Sequence, residues 1–392
     1  QLNKQAAAGI DGISIAKYKS KLPENIQRLT QQLRNKSFRA NDIKRVFIPK
    51  ANGKQRPLGL PTVDDKLVQQ GVSQILQNIW EQDFLPNSYG YRPNKSAHKA
   101  VHSLRLNLQF KGYGYIVEAD IKGFFDNMNH DWLMRMLEQR IDDKSLLGLI
   151  KQWLKARIKS PDGCFNKPES GTPQGGVISP VLANIYLHYA LDLWFEKTVK
   201  PRMKGRAMLI RYADDFVVAF QYGIDADNFY RVLPKRLNKF GLSVAPEKTH
   251  LKRFSRFHPG RKRSFQFLGF EFYWSLDANR KPIVRRYTAP KKLKAAMSEF
   301  YQWIKFNRSR PLKETMPILK RKLMGFQNYF GLPDNSRRLS RLSHYVSRSL
   351  YKWLNRRSQR RSYNWSSFTD MLGYFKIEPL KVSKRSIPVD WY

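Results

Sequence analysis

The residues most suggestive of chemistry are Tyr212-Ala213-Asp214-Asp215, set between the apolar runs Met208 to Ile210 and Phe216 to Phe220. That pattern reads as strand, tight turn, strand, with Ala213 and Asp214 at the tip. Adjacent carboxylates repel one another unless a cation neutralises them. Upstream, Tyr115-Ile116-Val117 leads through Glu118 and Ala119 to Asp120, a second apolar strand ending on an acid. A sheet placing these strands side by side would bring Asp120, Asp214 and Asp215 together. Hard oxygen ligands with no His or Cys nearby favour Mg²⁺ over zinc. A pair of such ions, about 3.5 to 4 Å apart, activates a hydroxyl and stabilises a leaving pyrophosphate in phosphoryl transfer. A lone Asp-Asp pair is more often an ordinary polar turn, so the neighbouring segments decide.

Residues 45 to 61 run Arg-Val-Phe-Ile-Pro-Lys-Ala-Asn-Gly-Lys-Gln-Arg-Pro-Leu-Gly-Leu-Pro. They read as a basic hairpin, with strands at Lys44 to Ile48 and Arg56 to Leu58 and a turn over Ala51 to Lys54. Lys50 and Arg56 could both reach one polyphosphate there. Gly171 to Pro180, Gly-Thr-Pro-Gln-Gly-Gly-Val-Ile-Ser-Pro, is a loop of little bulk. Its backbone and Gln174 could approach a nucleotide closely. Alone, the hairpin is a solvated basic face and the loop a helix entry.

Elements that would carry these segments follow from apolar spacing. Val68, Val72, Ile75 and Ile79 predict a helix from Thr62 to Trp80, opened by Thr62 with Asp64 and Asp65. His130 to Leu154 reads as helical, and a further helix follows the glycine-rich loop from Pro180 to Lys197. A strand pair is predicted near Phe265 to Tyr273. Beyond residue 288 the pattern becomes all-helical and very basic. Its three apolar stripes start at Leu293, Leu312 and Leu339 and fit a small bundle. The fold class is therefore α+β, followed by an all-helical region.

Composition sets the partner class. Seventy-two Lys and Arg against 31 Asp and Glu leave a formal charge of +41, in a chain rich in aromatic residues. Such an excess points to nucleic acid, bound largely through salt-sensitive counterion release. One cysteine, Cys164, excludes an internal disulfide framework and any C-x-x-C zinc module. No apolar run reaches the ~20 residues that span a bilayer, so a soluble protein without a membrane partner is expected. Residues upstream of Gln1 are also expected.

Taken in order, the segments closely resemble the reverse transcriptases of group II introns, the intron-encoded reverse transcriptase/maturases. The resemblance begins at Ala7 to Ser14, like that family's N-terminal extension, and continues through the hairpin and Ser88 to His98. It takes in Val117 to His130, Gly171 to Tyr186, Arg211 to Phe216, Ala245 to Thr249 and Phe267 to Phe270. It ends at Gly325 to Phe330, which is similar to the maturase, or thumb, motif.

This resemblance implies a right-hand polymerase. An N-terminal extension and fingers would occupy residues 1–114, a palm 115–288 and a helical thumb/maturase region 289–392. The implied activity is RNA-directed DNA synthesis in retrohoming, with binding of the chain's own group II intron RNA to assist splicing. Asp120, Asp214 and Asp215 would hold two Mg²⁺ ions, with the Ile121 backbone as a further ligand. Lys50 and Arg56 would bind the triphosphate of a dNTP, and Gln174 would sit over the nucleotide. Phe124 would lie beneath the deoxyribose, with its neighbour Phe125 the other candidate. Ala213 would let the nucleotide approach the metals, Lys248 would stand near nucleotide or primer, and Leu268 and Gly269 would belong to the primer grip. The implied partners are an RNA template, the intron RNA and a DNA primer or target, in the bacterial cytoplasm at the nucleoid or in an organelle. The chain stops without the Cys- and His-rich endonuclease of longer members, so a primer made by the host is expected. The rival readings are a CRISPR-adaptation reverse transcriptase of the same lineage and a non-catalytic RNA-binding splicing factor.

Overall fold

The computed structural model describes residues 6–49, 53, 55–257 and 260–383; of 260–262, within a strand, only the backbone is described. These residues fall into two compact units. One comprises the chain up to Ala100 together with Tyr115–Leu251, and the other comprises Val101–Gly114 and the residues from Lys252 on.

The first unit is built on an antiparallel sheet. Tyr115–Asp120 pairs with Asp215–Phe220, which pairs on its other side with Ala207–Tyr212. Leu209, Ile210 and Phe216 to Phe220 are buried, as are Ile116 and Val117. A sheet covered in this way holds its turn on a rigid base. The basic hairpin forms from Ile43–Pro49 and Gln55–Leu60, in register Ile48 to Arg56.

The Val63–Trp80 helix starts where expected, with the Thr62 side chain accepting from the Asp65 amide. Its buried stripe differs from the predicted one. Val68, Val72, Leu76 and Trp80 face the core, whereas Ile75 is 50% exposed. Both stripes have helical spacing, and the bulk of Trp80 decides between them. Leu76→Ala should therefore cost about 2–5 kcal/mol in chemical denaturation, and Ile75→Ala within about 0.5 kcal/mol.

His130 to Leu154 is two helices, His130–Leu137 and Lys144–Lys155, not one. The Asp143 carboxylate accepts from the Ser145 and Leu146 amides, so it caps a new helix and ends the continuous reading. The predicted Pro180 to Lys197 helix is present as Ser179–Leu187, but it continues with π-helical turns at His188–Asp192 and Phe195–Val199. Such turns shift the register of every following side chain.

In the second unit, Gly260–Phe267, Phe270–Leu276 and Pro282–Thr288 form a three-stranded antiparallel sheet. The third strand had no sequence expectation. Segment 101–114 belongs here because Gln109 pairs with the backbone of Pro282 and Val284, and Arg105 donates to Val284 O. The helices Pro290–Asn307, Leu312–Phe330 and Ser336–Leu354 match the three apolar stripes, and Trp365–Tyr374 adds a fourth. Leu293, Leu319, Leu339 and Phe368 share one core. Mixed α+β structure followed by a helical C-terminal region is the observed class.

Candidate active site

Asp120 ends its strand directly opposite Asp215, and Asp215 lies opposite Tyr212 across the hairpin. Strand pairing thus brings both ends of the carboxylate set to one edge of the sheet. Asp214 follows Ala213, whose φ of +56° is a left-handed conformation that costs energy for any side chain bearing a Cβ.

Four residues, Arg211, Asp192, Asn184 and Gly90, hold that conformation. The Arg211 guanidinium, fully buried, donates to Ala213 O at 3.1 Å and to Asn184 Oδ1 at 3.0 Å. Its other nitrogens reach Asp192 at 2.8 and 2.5 Å, and Asp192 sits in the first π-helical turn. Asn184 in turn donates to Gly90 O at 2.7 Å. A Cβ on Gly90 would stand 2.4 Å from the Ala213 nitrogen, so only glycine allows this segment to lie against the turn. The segment is fixed there by paired backbone hydrogen bonds, Tyr89 N to Arg211 O and Arg211 N to Asn87 O.

Sequence reasoning assigned no role to Arg211, Asp192, Asn184 or Gly90. The available signal was an arginine inside the apolar run Met208 to Tyr212, and an aspartate beside Ala190 and Leu191. Charges in buried elements need partners.

Electrostatics explains why this edge suits a cation. Burial raises the Asp214 carboxyl above its ordinary range and nearby Asp120 raises it further, against Lys248 and Arg56. Burial likewise raises the Tyr91 phenol, with Asp214 adding to it. The Lys248 ammonium donates to Asp120 Oδ2 at 2.7 Å, and this bond raises the lysine's own pKa. Lys248 is delivered by the short helix Pro246–Lys248, tethered by Ala245 N to Asp120 O at 2.8 Å. Ile121 bridges to Val244 in the same connection and is 2% exposed.

Among the described residues no three His, Cys, Asp or Glu side chains stand as a set ready to hold a metal ion. The cation on Asp120 is Lys248. An all-oxygen donor set and crowded, partly buried acids still fit a hard divalent ion in chemical terms.

The hairpin and the glycine-rich loop meet. Arg56 Nε donates to Gln174 Oε1 at 2.8 Å, and Gly59 N donates to Gln174 O at 2.7 Å. Gly175 has φ +114°, and a Cβ there would lie 2.7 Å from Gly59 O. Lys50 lies outside the described residues. A cavity of about 110 Å³ between hairpin and loop is lined by Arg45, Gly59, Phe125, Asp126 and Gln174.

Phe124 does not line it. It opens the short helix Phe124–Asn127, is 1% exposed, and packs edge-on against Phe125 and Tyr186. Its neighbour Phe125 lines the cavity instead. One residue turns a helical side chain by about 100°, enough to exchange core for cavity.

Leu268 and Gly269 form the turn of their hairpin in the second unit, both at positive φ. The Tyr329 hydroxyl donates to Leu268 O at 3.0 Å, and Gly269 O accepts from Ala289 N at 2.9 Å.

A sheet with acids at the tip of its hairpin, next to a basic hairpin and a glycine-rich loop, makes up this candidate active site. Residues 48–272 match the family described as reverse transcriptase (RNA-dependent DNA polymerase), and residues 291–368 match the group II intron, maturase-specific domain. The chain belongs to the reverse transcriptase family, in its group II intron maturase branch. It is 27% identical to the group II intron-encoded protein LtrA of Lactococcus lactis subsp. cremoris, over 84% of this chain and 67% of that protein. It is 34% identical to Protein YkfC of Escherichia coli (strain K12), over 54% of this chain but only 62% of that protein. Among solved structures, telomerase from Candida albicans is similar at a TM-score of 0.48 and 14% identity, covering 92% of this chain and 68% of that one.

Proposed function

We propose that the protein extends a DNA primer along an RNA template and binds a group II intron RNA as its maturase, in splicing and retrohoming. The observation that carries the polymerase reading is the meeting of Asp120 and Asp215 across paired strands, beside Asp214, Lys248 and the Arg56–Gln174 pair. The primer 3′-hydroxyl attacks the α-phosphate of a dNTP, forming a phosphodiester bond and releasing pyrophosphate.

Asp120, Asp214 and Asp215, with the Ile121 carbonyl, would hold two Mg²⁺ ions. When bound, the metal supplies charge neutralisation and a lowered pKa for the attacking hydroxyl. Arg56 and Lys50 neutralise the triphosphate, while Gln174 and small Ala213 border the nucleotide. Lys248 orients Asp120 until the substrate's charge competes for its ammonium. Leu268 and Gly269 act as primer grip. In this reading fingers, palm and thumb occupy 1–114, 115–288 and 289–392. No helix among the described residues is long and apolar enough to cross a membrane.

The sugar-facing residue is Phe125, whose ring would leave no room for a 2′-hydroxyl. Steady-state incorporation of rNTP against dNTP on an RNA template tests this assignment. Phe125→Ala should relax discrimination by roughly a hundredfold. Phe124→Ala should instead lose about 3–5 kcal/mol of stability. Unchanged discrimination by Phe125→Ala would remove the assignment. The maturase half predicts that added protein raises the splicing of a cognate intron RNA at near-physiological salt, and no gain would end it.

A further inference from the structure

From Asn335 to Thr369 the chain carries nine Lys and Arg and no Asp or Glu, through the whole of Ser336–Leu354 and the start of Trp365–Tyr374. Such a run is often no more than a solvated face. Here it encloses an ordered aromatic group. Tyr351, near the end of the first helix, and Trp365, opening the second, stack with ring centroids 4.2 Å apart and an interplanar angle of 4°. Buried Phe368 stands nearly perpendicular to both, 5.2 Å from Tyr351 and 5.6 Å from Trp365. Phe368 thus braces the flank of the stack, and Tyr351 covers one face of the indole. Trp365 is nevertheless 51% exposed, so the face turned away from Tyr351 is open to solvent.

The loop between these helices is tied to the same group. The Asn355 amide donates to Tyr363 O at 3.0 Å and accepts from Tyr363 N at 2.7 Å, closing residues 356–362 at their base. Arg361 Nε donates to Tyr363 O at 3.2 Å, and its Nη2 donates to the Tyr351 hydroxyl at 2.5 Å. Its guanidinium lies 6.0 Å from the Tyr351 ring centre. Arg356, Arg357 and Arg360 extend from this loop, and all three are exposed. A large aromatic ring held in place with one face in water is preorganised for a flat ligand, because its ordering cost is met in folding.

A partner suited to this surface offers a flat apolar face together with spaced negative charges. An unpaired nucleotide in a strand does both, since its base stacks on an aromatic ring and its flanking phosphates meet arginine. A duplex does not, because its base faces are hidden in its own stack. We propose that Trp365, backed by Tyr351, is a stacking platform for one unpaired base of bound RNA, with Arg356, Arg360 and Arg361 on the flanking phosphates. Every base has a π-face, so the platform reads strandedness and not sequence. The inference deepens the reading that the chain binds RNA and rests on it, and the platform lies within the residues matched to the maturase-specific domain. Its test does not depend on polymerase activity.

The test is ultraviolet crosslinking of the intact chain to a short unstructured RNA carrying 5-iodouridine, without dNTP or primer, with the crosslinked residue located by mass spectrometry. The crosslink is expected at Trp365. Trp365→Ala should weaken binding of that RNA about tenfold, the usual effect of removing one base–aromatic stack, and change duplex RNA binding less than about twofold. Trp365→Phe keeps an aromatic face and should retain most of the affinity. Arg360→Gln, an exposed change that spares the stack, should reduce the slope of log affinity against log salt by about 0.7, one phosphate contact on a single strand. Crosslinks confined to other segments, equal losses on single-stranded and duplex RNA, or Trp365→Phe as weak as Trp365→Ala would each overturn the proposal. A Trp365 dependence seen only with single-stranded DNA would overturn the assignment to RNA. Failure of the wild type to bind any RNA would remove the RNA-binding reading as well, whereas normal RNA binding by Trp365→Ala would remove this site alone.

Discussion

Replacing Asp214 with Asn is expected to lower RNA-templated DNA synthesis by about a thousandfold or more, equivalent to ~4 kcal/mol of barrier, while leaving the fold as stable as before or more so. The two effects have separate causes. In the proposed site the carboxylate charge holds a divalent ion, and an amide of the same shape cannot replace that charge. In the folded chain without metal, burial and then the neighbouring Asp120 raise the Asp214 carboxyl above its ordinary value. A group whose pKa is raised by folding costs stability at pH values above its unfolded pKa, because the charged form is the disfavoured one. At neutral pH, in EDTA, Asp214→Asn should therefore melt at or above the wild-type temperature. A variant that lost activity together with several degrees of stability would point to a structural role instead.

Arg211→Leu should act in the opposite order, on stability first. Arg211 and Asp192 are both fully buried and share two hydrogen bonds. Removing one partner of such a pair leaves an uncompensated interior charge, at a cost of about 3–5 kcal/mol. Chemical denaturation should show that loss directly. The double variant Arg211→Leu/Asp192→Leu should recover much of the stability, since apolar replacement of a whole buried pair is often neutral. Activity should not recover with it. The Ala213 carbonyl and Asn184 would still lack their donor, and the left-handed turn carrying Asp214 would lose its restraint. Recovery of both properties in the double variant would show that Arg211 serves only the core.

Much of the candidate site was legible because its signals are local. Alternation around Tyr212 to Asp215 names a hairpin, an acid at the end of Tyr115–Asp120 names its partner, and Thr62 names a helix start. Glycines in the 171–180 loop mark a place of little bulk, and there Gly59 N donates to Gln174 O.

What stayed hidden depends on packing between distant residues. Phe124 and Phe125 are identical in type, and only the orientation of the Phe124–Asn127 helix separates core from cavity. Asp143 breaks a helix that apolar spacing alone would continue. The Pro282–Thr288 strand, with Arg285 and Arg286 inside it, lacks the clean alternation that would have announced it. The Arg211–Asp192 pair depends on a π-helical turn, which no periodicity search at 3.6 residues would find.

The central claim is that this nucleotide site copies RNA into DNA. Its most direct test is primer extension by the wild-type protein on poly(rA)/oligo(dT) with Mg²⁺ and labelled TTP, at permissive salt. The account predicts a labelled DNA ladder that requires the RNA strand, and that disappears when the template is digested beforehand or when EDTA is added. An absence of product under these conditions, or product that forms equally well without the RNA template, would contradict it.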